Sequence, residues 1–188
     1  MKENKTKRII ELLESIVIAA LICFLLFNFV FIRVQVKKTS MNPTLNDGDN
    51  GFSFIITKNI KLNRFDIVVA ENDDKLIVKR LIGMPNETIE YKDNVLYIDG
   101  VEYEEEYLGD VKTNDFKVEL GEDEYYLLGD NREVSKDSRF VGPFSKEDIK
   151  ASHVFVFYPF KDFGFKKWAR FNGFQDIWRK QIVKCQNN

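Results

Sequence analysis

The sequence predicts a mainly β domain tethered behind one N-terminal transmembrane helix. Three observations carry that reading. Residues 15–32 form an 18-residue run without a charge. Beyond Arg33 the apolar spacing changes to the alternation of strands. Asp99-Gly100 stands between two short β-rich runs, where a tight turn with positive φ would join them. The 188 residues are 44% hydrophobic and 31% charged, which excludes both a disordered chain and a polytopic membrane protein.

The apolar run extends as a helix back to Ile9, with Glu11 and Glu14 near a bilayer edge. About 20 apolar residues span the hydrocarbon of a membrane. A cleaved signal peptide would have a shorter run followed by small residues, whereas Phe31, Ile32 and Arg33 follow here. The expected organisation is residues 1–8 as a short cytoplasmic N-terminus, 9–32 as a retained anchor, 33–160 as an extracytoplasmic body and 161–188 as a tail. Orientation rests on a small bias: Lys2, Lys5, Lys7 and Arg8 precede the anchor, while Arg33, Lys37 and Lys38 follow it.

In the body, residues 34–36, 52–56, 65–70 and 76–82 read as strands from their β-branched and aromatic content. Residues 95–98 and 101–103 form the hairpin, and 116–120, 125–128 and 154–158 complete the set. The Ser145-Lys-Glu-Asp148 string has the spacing of a capping box and predicts one short helix.

Charge excludes other classes. The net charge of −2 argues against a generally basic nucleic-acid binder. Cys23 sits in the apolar run and Cys185 near the end, so no disulfide scaffold is expected. With His153 alone, a zinc site has no ligand set, and no metal or cofactor is expected. Residues 99–124 carry eleven acidic and two basic side chains, which reads as a solvated hairpin edge guarded against sticking to other strands. The tail interleaves Phe163, Phe165, Trp168, Phe171, Phe174 and Trp178 with Lys and Arg. That pattern suits a lipid headgroup interface and packing against the body equally.

Three strings could carry chemistry. In Thr39-Ser-Met-Asn-Pro-Thr-Leu45, Pro43 stiffens a turn that could expose the Ser40 hydroxyl beside a backbone N–H. An ordinary β-turn has the same composition. In Val78-Lys-Arg-Leu-Ile-Gly83, a strand would put Ile77, Lys79 and Leu81 on one face and Arg80 on the other. A lysine desolvated there would favour its neutral amine, while a solvated one would be inert. Residues 129–142 form a polar loop bounded by glycines, which could equally be a turn held by Asx hydrogen bonds and surface ion pairs. His153, in a strand-like run, reads as structural, so a hydrolase here would need lysine as its base.

In this order and behind an anchor, the strings resemble the type I signal peptidases, membrane serine-lysine proteases that remove signal peptides. The likeness covers the anchor and most of residues 34–158. It implies a signal-peptidase-like β-sheet or barrel domain with Ser40 as nucleophile and Lys79 as general base. Ser135 would orient the lysine, Asp130 would pair with Arg80, and Asp137 with Arg139. Signal peptides of exported preproteins and membrane lipid are the implied partners, with cleavage after small residues and the enzyme at the plasma membrane. Two positions depart from the family pattern. Asn86 stands where a glycine is usual, and Asn tolerates left-handed backbone. Lys38 stands where some relatives carry a serine that assists the oxyanion hole, which leaves the Ser40 backbone N–H as the donor. Only 49 residues separate Lys79 from Gly129, which resembles the small Gram-positive form. The competing readings are a self-cleaving repressor-type peptidase, which would carry a DNA-binding domain upstream, and a catalytically silent β adaptor.

Overall fold

The computed structural model describes residues 2–55, 61–109 and 111–166. A long helix, α1 (Lys2–Val30), passes directly into strand β1 (Phe31–Gln35). Within it, Lys7–Val30 is long and apolar enough to cross a membrane, and large hydrophobic side chains such as Ile9, Leu13, Val17, Leu21 and Phe24 are exposed. Phe31 and Ile32, counted with the apolar run in the sequence, leave the helix and pair with Phe54 and Ser53. The Phe31 ring lies 5.0 Å from Phe52 and 4.8 Å from Phe54, which offers these residues more contact than another helical turn would.

The remaining elements are β2 (Asn50–Ile55), β3 (Ile67–Asn72), β4 (Lys75–Gly83), β5 (Thr88–Lys92), β6 (Val95–Ile98), β7 (Val101–Tyr103), β8 (Phe116–Glu119) and β9 (Tyr126–Leu128). They are followed by α2 (Ser138–Val141), β10 (Ile149–Tyr158) and β11 (Gly164–Phe165). A seven-stranded antiparallel sheet has the order β1-β2-β10-β3-β4-β9, with β11 added on β10; the second sheet is β7-β6-β5-β8. The mainly β prediction holds.

β3 is buried on both faces, and this organises the core. Ile67 and Val69 pack with Val34, Met41, Leu45 and Val156, while Val68 and Ala70 pack with Leu81, Leu127 and Phe144. A third cluster joins the sheets: Ile82 and Leu128 of the large sheet meet Ile89, Tyr91, Leu96 and Ile98 of the small one. Asp99 and Gly100 adopt positive φ of 51° and 77°, closing the predicted hairpin, and Asn86 takes the left-handed backbone at 65°.

Two expectations are corrected. The side chains of Ser145 and Asp148 do make the reciprocal capping hydrogen bonds, with the Asp148 carboxylate accepting from the Ser145 N–H at 2.8 Å. They close only a turn, because the next residues enter β10, where Ile149 and Ala151 and, past a bulge beyond Ser152, Val154 and Val156 are buried at alternate positions. The acidic segment is not wholly a solvated edge. Glu105 turns inward, with its side chain 7% exposed against Arg132. Most of the basic aromatic tail, including Trp168, Phe171, Phe174 and Trp178, lies outside the described residues. Phe163 and Phe165 pack their rings 5.0 and 4.8 Å from Phe155 of the body.

Candidate active site

The Ser40 turn is fixed from below. Met41 and Leu45 are fully buried, and the Leu45 N–H donates to the Met41 carbonyl at 2.9 Å, so residues 40–44 arch over the core with Ser40 half-buried at the surface. The hydroxyl of Ser40 has no hydrogen bond to another described residue. Its carbonyl accepts from the Asn131 N–H at 3.0 Å, which ties the turn to the polar loop.

β4 supplies two cations on opposite faces. Lys79 lies across from Val68, is 4% exposed, and its Nζ donates to the Ser135 hydroxyl at 3.0 Å. Burial lowers its pKa below the ordinary 10.5; the Asp137 charge opposes this, Arg139 reinforces it and Asp130 opposes it. Both carboxylates are already engaged. Asp137 accepts from Arg139 Nε at 2.8 Å and from the Gly129 N–H at 3.0 Å. Asp130 accepts from Arg80 Nε at 2.8 Å and from a second guanidinium nitrogen at 2.5 Å. Each carboxylate thus has an arginine partner, yet the Asp137 charge still raises the lysine's pKa more than Arg139 lowers it, and burial outweighs both.

Arg80 has the opposite environment. Burial disfavours its charge, but Asp130 outweighs that and holds the pKa above the usual arginine value. It also donates to the Phe65 carbonyl at 3.0 Å and lies 3.8 Å over the Tyr107 ring. Thr44, four residues after Ser40, donates to Asp130 at 2.5 Å and accepts from Arg80 at 3.1 Å. That threonine was not singled out from the sequence, although it lies inside the Ser40 string.

Gly129 is the point of closest approach between the two segments. A Cβ there would lie 2.1 Å from the Ser135 hydroxyl and 2.5 Å from the Ser40 carbonyl oxygen, so only glycine lets these two segments approach. Ser40, Ser135 and Lys79 are therefore gathered by one glycine and one hydrogen bond. His153 is elsewhere, with its Nδ1 2.8 Å from the Ser152 hydroxyl and its Nε2 3.7 Å from Asp66. Among the described residues no cluster of three or more His, Cys, Asp or Glu could hold a metal. A buried lysine on a nucleophile-bearing scaffold suits acyl transfer through serine.

Comparisons with known proteins bear on which family the chain belongs to. The family model described as "Signal peptidase, peptidase S26" matches residues 9–158. "Signal peptidase I S" of Bacillus subtilis (strain 168) is 39% identical over 173 residues, covering 85% of this chain and 94% of that protein. "Signal peptidase IB" of Staphylococcus aureus (strain COL) is 36% identical over 180 residues, covering 84% and 93%. A crystal structure of a signal peptidase I from Enterococcus faecalis V583 is 35% identical, covers 50% of this chain and 97% of that one, and has a TM-score of 0.47. The molecule is a hydrolase of the serine endopeptidase class. The chain belongs to the signal peptidase family, peptidase S26. Neither the repressor-type nor the adaptor reading is favoured.

Proposed function

We propose that this chain is a membrane-anchored signal peptidase that removes N-terminal signal peptides from exported preproteins, using Ser40 as nucleophile and Lys79 as general base. The observation that carries the proposal is the buried Lys79 amine, desolvated and donating to Ser135. A neutral amine held by that one N–H keeps its lone pair available to take the Ser40 proton. As the hydroxyl oxygen attacks the scissile carbonyl, its proton passes to Lys79. The Ser40 N–H then stabilises the developing oxyanion. The lysine ammonium returns the proton to the departing amine, leaving an acyl ester on Ser40. Water, deprotonated by the same lysine, attacks that ester, and the lysine ammonium returns the proton to the Ser40 oxygen as the acyl–oxygen bond breaks. Asp130 with Arg80 and Asp137 with Arg139 brace the loop carrying Ser135.

In this reading α1 spans the plasma membrane once, with a cytoplasmic N-terminus and an extracytoplasmic catalytic domain in contact with lipid. The preprotein binds as an extended segment with small residues before the cut. The test is cleavage of a preprotein by the full chain in detergent. Ser40→Ala, Lys79→Ala and Lys79→Arg should fold and be inactive, the last because guanidinium cannot deprotonate. Substantial turnover by Lys79→Arg would overturn the mechanism. Protease added to intact cells should digest the body; a protected body would overturn the topology.

A further inference from the structure

Glu105 comes from the small sheet's connection, after β7, yet it reaches the polar loop. Its Oε1 accepts from the Arg132 guanidinium at 2.6 Å, and it accepts from the hydroxyls of both Tyr91 and Tyr107. Arg132 is 2% exposed, and its other nitrogens are equally committed. One donates to Thr113 at 3.0 Å and to the Tyr91 hydroxyl, and Nε donates to the Gly129 carbonyl at 3.0 Å. The Arg132 carbonyl accepts from Arg139 at 2.7 Å. Two routes therefore lead from Glu105 to the site. One runs through Arg132 to Gly129, which separates Ser40 from Ser135. The other runs through Tyr107, whose ring stacks on Arg80, the partner of Asp130.

We infer that Glu105 is a positioning residue for the hydrolysis: it clamps Arg132 and Tyr107 so that Gly129 and Ser135 hold the Ser40–Lys79 geometry. The inference rests on the serine-lysine reading above. The small sheet, whose own faces carry no reacting group, thereby helps set the reach of the lysine. Glu105 shares no hydrogen bond with Ser135, so any coupling between them passes through Arg132 and Gly129 or through Tyr107 and Arg80.

The test measures kcat and KM on a signal-junction peptide, per folded molecule, for Glu105→Gln in native and Ser135→Ala backgrounds. The expected result is a loss of kcat of about 10-fold or more, since small misplacements in an active site cost up to about 100-fold, with KM little changed. In the Ser135→Ala background the same substitution should cost under about 3-fold, because residues acting through one another are not additive. Native-level activity in Glu105→Gln, or the same fold-loss in both backgrounds, overturns the inference. If Glu105→Gln does not fold, Tyr91→Phe takes its place, since it keeps the ring against Phe116 and removes the hydroxyl shared by Glu105 and Arg132. It should lose about 3-fold or more in kcat and show the same non-additivity; an unaffected Tyr91→Phe overturns the inference equally. Lys79→Ala is the control that separates the two ideas. Activity there would sink the serine-lysine reading, whereas an inactive Lys79→Ala beside a fully active Glu105→Gln sinks only the role of Glu105.

Discussion

Lys79 and Arg80 are neighbours on β4, point to opposite faces, and are both buried. One is surrounded by an acceptor for each nitrogen and an aromatic ring, and stays charged. The other has one neutral hydroxyl partner, and its charged form is disfavoured. The difference teaches that burial alone does not decide the state of a cation. What decides it is whether a carboxylate lies close enough to repay desolvation. Here Asp130 and Asp137 both lie near Lys79, and each is held by an arginine instead.

The largest effects should come from exchanging the two fates. Arg80→Met leaves Asp130 buried without its cation, which should cost about 3–5 kcal/mol of stability. Lys79→Met removes a side chain the fold holds against its preferred charge. It should be inactive yet no less stable than the native chain at neutral pH. Chemical denaturation of both variants checks this. Equal stabilities would mean that the two faces of β4 do not differ electrostatically as described.

Next in size is the glycine between the two faces. Gly129→Ala would drive a methyl into the Ser40 carbonyl and the Ser135 hydroxyl. Overpacking of this kind costs about 1–3 kcal/mol, and because the displaced atoms belong to the site, activity should fall further than stability explains. Activity at native level with a lowered melting temperature would show that the loop can shift without disturbing Lys79.

Much of this was legible in the sequence, for local reasons. The β4 face assignment follows from strand alternation, and the hairpin at Asp99-Gly100 from turn chemistry. β5 was not read, because Thr88–Lys92 carries Glu90 and Lys92 on a short segment. Its signal lay in the flanking turn, where Asp93 and Asn94 both take positive φ. Residues 145–148 misled because capping hydrogen bonds close a turn as well as they start a helix. Glu105 was hidden in an acidic run whose neighbours Glu104 and Glu106 face water; only tertiary contact with Arg132 sets it apart. Thr44 likewise has no pattern of its own, since its role exists only once Arg80 and Asp130 meet.

A smaller effect is expected at Ser135. Ser135→Ala removes the hydrogen bond that the Lys79 amine makes among the described residues, without deleting a proposed reacting group. Turnover should fall by about 10- to 100-fold, well short of the loss in Lys79→Ala, since general-base contributions run to about 10⁴-fold. Single-turnover rates would measure it. Inactivity as deep as in Lys79→Ala would make the hydroxyl a participant in proton transfer.

The smallest effect is also the most specific, because it should appear in two independent measurements. Lys79 has a folded-state pKa below the 10.5 of an unfolded lysine. Between those two values the unfolded chain binds the extra proton and the native chain does not. Stability relative to Lys79→Met must therefore rise with pH across that window, by at most about 1.4 kcal/mol per pH unit for one proton. Below the lowered value both states are protonated and the slope vanishes. Over the pH range leading up to that lowered value kcat/KM should climb, and it should level off above it, as the free enzyme loses the proton that disables its base. The midpoint of the kinetic rise and the onset of the stability slope report one proton, so they should coincide in the native chain. Measuring unfolding free energy and peptide cleavage in the same detergent, between about pH 6 and 10, checks this. A kinetic rise with no matching stability slope would assign the base to a group other than Lys79.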